Sequence, residues 1–249
     1  MSRLIILTGP SCVGKSPLAK ALKRVHPILF ATLQSLVLYN TRAPRPHEQD
    51  GVDYHFRSRA EIEALGRKPG FRIMEARTDL QAISLSDLDA VMTTGRDPFF
   101  EGNPFVAAEL AVIAKKRSFP LLSVFLSPLS HDEVLELTDR LGPDGFADAV
   151  ASLMKGKLIR RTQKEKGSLS ETDLRDIDVR ARSALREIAM AWRFQHVIPN
   201  HDGEDSDNWD LFELPLGDAR LSLQAFVALL RGHASPRVER WKRGFVRRP

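Results

Sequence analysis

The stretch from Leu4 to Leu22, LIILTGPSCVGKSPLAKAL, decides the fold. Its apolar start runs into a segment, Gly9 to Ser16, that fills every fixed position of the phosphate-binding loop pattern G-x-x-x-x-G-K-[ST]. The glycines let backbone N–H groups curl around an anion, and the helix that follows directs its positive end at the same point. The pattern therefore predicts a buried strand, a phosphate loop and a helix. The alternative is a glycine-rich turn in a strand–helix corner.

The loop pattern also assigns contacts to a nucleotide. Lys15 is expected to reach the β and γ phosphates of ATP, and the Ser16 hydroxyl is expected to ligate Mg²⁺. Pro17 is compatible with the first helical turn, where its missing N–H has no intrahelical partner to lose. The predicted ATP-binding residues of the loop are Gly9, Pro10, Ser11, Cys12, Val13, Gly14, Lys15 and Ser16.

Length and composition limit the class of protein. A chain of 249 residues, 43% hydrophobic and 28% charged, suits one large domain or a core with small inserted subdomains. Cys12 is the only cysteine, so no disulfide framework exists and a cytoplasmic location is expected. A reactive-thiol role for Cys12 is the alternative to a plain loop position. No segment approaches the roughly 18 apolar residues that span a bilayer, so membrane insertion is not expected.

The basic character of the chain lies in its last residues. Residues 233–249 hold six basic residues and one acidic residue, which accounts for the whole net charge of +5. We expect an unstructured, solubilising end. Contact with nucleic acid or with an acidic partner is the alternative that such a tail leaves open.

A second candidate phosphate site follows the first helix. An apolar piece from Leu29 to Leu38 is expected to be a strand, and it runs into a proline-rich segment that carries Arg42 and Arg45. Two arginines three residues apart on a stiff, extended segment form a plausible fork for a phosphate. The alternative is a solvated surface loop.

The segment from Thr41 to Phe56, T-R-x-P-R-P-x-E-x-D-G-x-D-Y-H-F after a phosphate loop, closely resembles the guanylate kinase family. The resemblance runs from Leu4 to about Leu230. It implies an α/β fold of the P-loop kinase type: a doubly wound parallel sheet with an inserted acceptor-binding subdomain and a helical lid. The implied parts are the core at 1–30, 86–141 and 171–232, the acceptor-binding subdomain at 31–85, the lid at 142–170 and the basic tail at 233–249.

The resemblance assigns the acceptor residues by motif position. Arg42, Arg45 and Tyr54 would grip the acceptor monophosphate, and Glu48 would support the arginines. Glu75, in a segment similar to F-[LI]-E-W-A, would accept hydrogen bonds from the N1 and N2 edge of guanine. Two features depart from the family: Leu38 replaces the serine expected four residues before Arg42, and the motif G-N-Y-Y-G-[ST] is missing from Ala76 to Leu85.

A strand ending in an acid is expected from Asp97 to Asn103, in the place of the family segment V-L-L-D-I-D-x-Q-G. By that register Glu101 takes the position of the first aspartate and would bind a Mg²⁺ water. Asn103 takes the position of the second aspartate and would contribute to acceptor binding. A plain strand-end glutamate is the alternative for Glu101.

The remaining candidates lie in the C-terminal half. The run containing Arg160 and Arg161 would close over the ATP phosphates as the family's lid arginines do, although a solvated face is the alternative. A helix is expected from Ser170 to about Arg193, and its segment similar to R-L-x-x-A-x-x-E-[IL] makes Arg180 a phosphate-contacting arginine. Asn200 would lie beside the adenine of ATP. The predicted catalytic residues are Lys15, Arg161 and Arg180.

These features predict an ATP- and Mg²⁺-dependent phosphotransferase that converts GMP to GDP. Its expected partners are small-molecule nucleotides, with neither a membrane nor a nucleic acid among them, and the oligomeric state stays open. The same chemistry on another phosphorylated acceptor, such as a modified nucleotide or a sugar phosphate, is one alternative. A catalytically silent interaction domain of the same family is another.

Overall fold

The computed structural model describes residues 2–44 and 48–246. Its strands are β1 (Leu4–Thr8), β2 (Leu33–Ser35), β3 (Leu38–Asn40), β4 (Tyr54–Phe56), β5 (Phe71–Ala76), β6 (Asp79–Ser84), β7 (Asp97–Gly102), β8 (Leu121–Ser127) and β9 (His196–Pro199). Its α-helices are α1 (Lys15–Val25), α2 (Pro27–Ala31), α3 (Arg59–Leu65), α4 (Leu85–Thr93), α5 (Pro104–Lys116), α6 (His131–Lys166), α7 (Glu171–Ile188) and α8 (Gly217–Leu230).

The strands form two sheets. Five strands lie in the order β2-β7-β1-β8-β9, and four lie in the order β4-β3-β6-β5. In the larger sheet β2 pairs in parallel with β7, and β8 pairs in parallel with β9. All five residues of β1 are buried, as its central place in the strand order requires, and this is why it reads as an apolar run. The predicted α/β fold with a parallel sheet is confirmed.

The chain divides into two compact units. The first unit comprises Met1–Ile6 and Ala31–Leu121, and the second comprises Leu7–Phe30 and Leu122–Pro249. The phosphate loop belongs to the second unit, whereas the candidate acceptor residues belong to the first. The boundaries predicted for the core, the acceptor-binding subdomain, the lid and the tail stay predictions.

In the first unit, α3 packs on the four-stranded sheet. Ile62 of α3 forms a buried cluster with Leu80 and Ala82 of β6. The partly buried side chains against this cluster are Tyr39, Leu65 and Ile73. The Ser58 side chain accepts the N–H of Glu61, and the Glu61 carboxylate accepts the N–H of Ser58. This capping box satisfies two N–H groups at the start of α3.

In the second unit, α6 and α7 pack against each other. The long helix α6 kinks at Gly142, which has a φ of 68° and precedes Pro143. It then continues to Lys166, and a capping box between Ser170 and Asp173 starts α7. The segment predicted as the lid is therefore helical up to Lys166.

The predicted boundaries of one strand and one helix were wrong. The piece from Leu29 to Leu38 begins inside a helix, since α2 runs over Pro27–Ala31 and the strand β2 starts only at Leu33. A short apolar run does not distinguish strand from helix, and Pro27 suits the first position of a helix. The helix expected to reach Arg193 ends at Ile188 and is followed by a 3₁₀ turn.

The expectation of an unstructured C-terminal end was also wrong for the part of the tail that the structure describes. The backbone of Glu239 exchanges hydrogen bonds of 2.8 and 2.9 Å with Val197 in β9. The Glu239 carboxylate accepts the N–H of His131 at the start of α6, and Trp241 is only 4% exposed. Residues beyond 246 lie outside the described part.

Within residues 2–44 and 48–246, no helix has both the length and the apolar composition that a membrane-spanning segment requires.

Candidate active site

The phosphate loop links β1 to α1, as the sequence predicts. Gly14 has a φ of 98°, in the left-handed region that glycine adopts at little cost. A Cβ there would lie 2.6 Å from Asn200 Nδ2 and 2.7 Å from the carbonyl oxygen of Asp202, so no side chain fits. The ammonium group of Lys15 is buried and donates to the carbonyl oxygen of Pro10 at 2.7 Å. This bond holds the lysine against its own loop.

Asn200 supports the phosphate loop from within the second unit. Its amide nitrogen donates to the carbonyl oxygens of Val13 at 2.7 Å and Asp202 at 2.6 Å. Its amide oxygen accepts the hydroxyl of Ser222 at 3.2 Å. The family resemblance places this residue beside adenine, but its side chain has no exposed surface and its amide groups are bonded inside the protein. The contact that the geometry shows is with the loop backbone.

Cys12 is an inert position of the loop. Its thiol is fully buried and lies 3.9 Å from the Asp205 carboxylate. Burial, together with the negative charges of Glu204 and Asp205, raises the pKa of Cys12 to about 12. The thiol therefore stays protonated near neutral pH, and the alternative of a reactive cysteine is excluded by its surroundings.

An acidic loop, residues 202–210, holds the predicted lid arginines. Arg160 donates to one carboxylate oxygen of Asp205 from Nε at 3.0 Å and from Nη2 at 2.8 Å. Arg161 Nη1 lies 3.3 Å from the Glu204 carboxylate, and the two side chains are 11% and 15% exposed. The alternative of a solvated face is therefore wrong for Arg161. Arg160 is exposed but paired.

Lys157 and Asp205 were missed by sequence reasoning. Lys157 is 7% exposed, donates to the carbonyl oxygen of His201 at 2.5 Å and lies 3.7 Å from the equally buried Asp205 carboxylate. Gly203 lies so close to the phosphate loop that a Cβ would come within 2.2 Å of the Cys12 carbonyl oxygen. The acid-rich composition of the loop was visible in the sequence, but nothing there marked which basic residues it would face.

The two arginines predicted to be catalytic each have a carboxylate of their own helix within reach. Arg161 Nε lies 3.3 Å from the Glu165 carboxylate. This nitrogen is buried but makes no hydrogen bond, because its N–H does not point at that carboxylate. Arg180 Nη2 lies 3.5 Å from Asp176, and its side chain is largely buried. Arg161 is therefore largely shielded from solvent, whereas Arg180 is partly buried beside an exposed carboxylate.

In the first unit, Arg42, Glu48 and Tyr54 come together as the sequence predicts. Arg42 donates two parallel hydrogen bonds of 2.6 Å to the two carboxylate oxygens of Glu48. Its guanidinium carbon lies 5.2 Å from the centre of the Tyr54 ring and 5.6 Å from that of Phe56. Burial alone would lower the pKa of Arg42, but its hydrogen bonds to Glu48 and the negative charge of that carboxylate raise it. Arg45 lies outside the described residues.

The residues predicted to bind the acceptor base differ in exposure and in hydrogen bonding. Glu75 is exposed on β5, and its carboxylate has no hydrogen-bond or ion-pair partner among residues 2–44 and 48–246. Asn103 caps α5 by accepting the N–H of Phe105 at 2.8 Å, which leaves its buried Nδ2 without a partner in the described chain. Gln81 Oε1, on β6, is a second buried polar atom without a described partner, and it was not predicted. Leu38 is buried.

The two predicted Mg²⁺ ligands belong to different units. Ser16 is the second residue of α1 and is exposed, and Glu101 is the fifth of the six residues of β7 and is partly buried. Over the described ranges, no three His, Cys, Asp or Glu residues are grouped as a metal cluster. A nucleotide-bound Mg²⁺ needs no such cluster, because phosphate oxygens and waters supply most of its ligands.

Comparisons with known proteins agree on one family. The sequence profile described as Guanylate kinase matches residues 1–155. A guanylate kinase of Trichormus variabilis is 29% identical over 193 residues, covering 76% of this chain and 88% of the relative. One of Latilactobacillus sakei is 30% identical over 200 residues, covering 80% and 81%. The crystal structure of guanylate kinase from Anaplasma phagocytophilum has the same fold, with a TM-score of 0.55 and 17% identity, over 93% of this chain and 85% of that one.

Proposed function

The chain belongs to the guanylate kinase family, and on that premise we propose that it transfers the terminal phosphoryl group of ATP to GMP, giving ADP and GDP. The observation that carries the proposal is the intact phosphate loop, with Lys15 held against it. A family member that served only as an interaction domain would not need this loop. Phosphoryl transfer requires the protein to position two phosphates and to stabilise charge, rather than to form bonds itself.

The donor phosphates are proposed to bind the backbone of residues 9–16, with Lys15 on the β and γ phosphates. The left-handed conformation at Gly14 and the hydrogen bond from Asn200 to Val13 support this, because they shape the loop before a nucleotide binds. We therefore assign Asn200 the role of positioning the loop. A loop that is already shaped loses less entropy when the anion binds.

The acceptor phosphate is proposed to bind Arg42, Arg45 and Tyr54. The support is the paired geometry of Arg42 and Glu48, which presents a guanidinium in a fixed orientation for bidentate contact with a phosphate. Glu75 and Asn103 are proposed to read the base. The Glu75 carboxylate can accept two N–H groups of guanine, and the unpaired Nδ2 of Asn103 can donate to an acceptor of the same ring.

Charge on the transferring group is proposed to be neutralised by Arg161 and Arg180, with Arg160 contacting ATP. Ser16 would ligate Mg²⁺ directly, and Glu101 would hold one of its waters. The ion supplies electrostatic stabilisation of the phosphate oxygens. The exposed Ser16 hydroxyl and the partly buried Glu101 carboxylate are oxygen ligands of the kind that Mg²⁺ prefers. A cytoplasmic location is proposed from the single, buried cysteine.

Two observations favour a phosphate acceptor other than GMP as the second candidate. Leu38 is buried at the position where a base-reading serine is expected, and β6 carries Gln81 where the missing tyrosine motif would lie. A modified nucleotide or a sugar phosphate would place fewer demands on these positions than GMP does.

The test is a coupled assay of ADP release with ATP, Mg²⁺ and a panel of GMP, AMP, UMP and sugar phosphates. We expect GMP to give the highest kcat/KM, and Lys15→Ala to lower it by about 10²- to 10³-fold because one phosphate contact is lost. Lys115→Ala, at an exposed lysine near the end of α5, is the matched control and should retain full activity. Activity on another acceptor with none on GMP would replace the first proposal by the second.

A further inference from the structure

A cavity of about 400 Å³ lies in the second unit between the end of α1 and the helix α8. Its wall is largely apolar. The apolar residues that line it include Leu214, Pro215, Leu223, Val227 and Ala228. None of the residues predicted to bind ATP, Mg²⁺ or the acceptor lines it, so the cavity is separate from the candidate active site.

The polar groups of this cavity are basic except for the neutral amide of Gln224. Arg220, Arg231, His26 and His233 line it, and none of its lining residues is acidic. Within residues 2–44 and 48–246, the guanidinium groups of Arg220 and Arg231 have neither a carboxylate partner nor a hydrogen bond. The nearby Arg24, in contrast, forms an ion pair with Asp210 at 2.7 Å. The cavity thus gathers positive charge that no described carboxylate offsets.

The pKa of His26 is affected by this positive charge. Burial lowers its pKa, and the positive charge of Arg231 lowers it further. Two like charges near each other in a partly buried site are unfavourable, and a bound anion would relieve the repulsion. An anion in the cavity would therefore raise the pKa of His26.

We propose that this cavity binds a small organic anion, a carboxylate carried on an aryl or branched aliphatic body. A guanidinium matches a carboxylate with two parallel hydrogen bonds, and Arg220 and Arg231 supply two such groups. The apolar wall would bury the body of the ligand. The volume lies in the range of ordinary small-molecule pockets, which combine an apolar lining with a few polar groups that fix orientation.

The test uses 4-phenylbutyrate as the probe, 4-phenylbutanol as its neutral counterpart and inorganic phosphate as the charge without the apolar body. Calorimetric titration of the full chain should give a Kd on the order of 1 mM for the carboxylate, as a ligand of this size allows. The alcohol and inorganic phosphate should each bind at least tenfold more weakly. NMR titration of the histidine signals should show the pKa of His26 rising when the carboxylate is bound.

Arg231→Gln and Arg220→Gln should each weaken binding of the carboxylate about tenfold. Arg140→Gln is the matched control, because Arg140 is an exposed arginine on α6 whose partner is Glu136. Arg231 also lies at the C-terminal cap of α8, where a cation stabilises the helix end. Arg220→Gln, on the exposed face of α8, keeps the test valid if Arg231→Gln unfolds the protein.

Four results would overturn the proposal. These are equal binding of the alcohol and the carboxylate, equal binding of inorganic phosphate, an unchanged pKa of His26, and folded arginine variants that bind as the wild type does.

Discussion

At the scale of single residues, Arg42 is held by a carboxylate. Glu48 accepts two hydrogen bonds from its guanidinium, and the rings of Tyr54 and Phe56 flank it. A long side chain fixed in this way has already lost its rotamer entropy, so a phosphate that binds it does not bear that cost. We therefore propose that Glu48 positions Arg42.

We expect Glu48→Gln to raise the KM for GMP about tenfold and to leave the KM for ATP within about twofold of the wild type. Glutamine keeps the size of the side chain but loses the charge-assisted pair of bonds that orients Arg42, and such a pair contributes roughly 1.5–3 kcal/mol. Steady-state kinetics with each substrate varied separately measures the effect.

Glu63→Gln is the matched control for this variant. Glu63 pairs with Arg59 at 3.8 Å on the exposed side of α3, and both side chains are more than half exposed. Its removal should change neither KM value. Parallel increases in both KM values for Glu48→Gln would indicate general damage to the fold instead of a positioning role.

At the scale of elements, the acidic loop and α6 form a charged interface inside the second unit. Its interior pair is Lys157 and Asp205, and its outer pair is Lys164 and Asp207. Removing one partner of an ion pair that is shielded from water strongly lowers the free energy of unfolding, because the other charge stays buried and unpaired. An exposed ion pair contributes little to that free energy. The loop should therefore stabilise the position of α6 through its shielded carboxylates, Asp205 and Glu204, and not through Asp207.

We expect Asp205→Asn to lower the free energy of unfolding by about 3 kcal/mol, because it leaves the buried charge of Lys157 without its carboxylate. Urea denaturation followed by circular dichroism measures the change. Asp207→Asn makes the same substitution in the same loop at a pair whose side chains are 56% and 73% exposed, and its effect should stay below about 0.5 kcal/mol. Equal losses for the two variants would contradict the assignment.

At the scale of the whole molecule, the C-terminal residues complete the second unit. His201 lies between two carboxylates: its Nε2 is 2.9 Å from Glu133, and its Nδ1 is hydrogen bonded to Asp218. Arg237 from the tail lies 2.8 Å from the same Asp218 carboxylate. The start of α6, the end of β9, the start of α8 and the tail thus share one charged cluster.

This cluster predicts a pH dependence of stability. Burial alone would lower the pKa of His201, but its bonds to Asp218 and Glu133 raise it above the ordinary 6.5. A raised folded-state pKa stabilises the protein below 6.5, and this contribution is lost as pH rises through the folded-state value.

Burial alone would raise the pKa values of Glu133 and Asp218, yet hydrogen bonds that include those to His201 lower them from 4.5 and 3.8. These two carboxylates therefore stabilise the folded protein above pH 4.5 and 3.8, and this stabilisation is lost as the pH falls through their lowered folded-state pKa values.

We therefore expect the cluster to stabilise most between about pH 4.5 and 6.5. The free energy of unfolding of the wild type minus that of His201→Gln should be positive at pH 5.5. It should fall when the pH exceeds the raised pKa of His201. Because His201 is half exposed, solvent screening should keep the difference below about 1 kcal/mol. Denaturant titrations across pH 5–8.5 measure it, and a difference that grows with pH would contradict the prediction.

Patterns that depend on neighbours in the chain were predictable from the sequence. The strand, loop and helix from Leu4 to Val25 follow from glycine conformation and helix-end electrostatics, which act within a few residues. The capping boxes at Ser58 and Ser170 are local for the same reason. The meeting of Arg42, Glu48 and Tyr54 also followed from sequence, through a motif only sixteen residues long.

Features that depend on distant segments were decided by the tertiary structure. Sequence alone could mark residues 202–210 as acidic, but only the fold brings Asp205 to Lys157, Arg160 and Cys12, up to 193 positions away. The same holds for the packed tail, since the pairing of Glu239 with Val197 and the burial of Trp241 have no local signature. Local sequence determined where the phosphate loop lies, because glycine conformation and the start of α1 act within a few residues, whereas the support of the loop by Asn200 was decided by the tertiary structure. The environment of each charge was decided only when folding excluded water and set its partners.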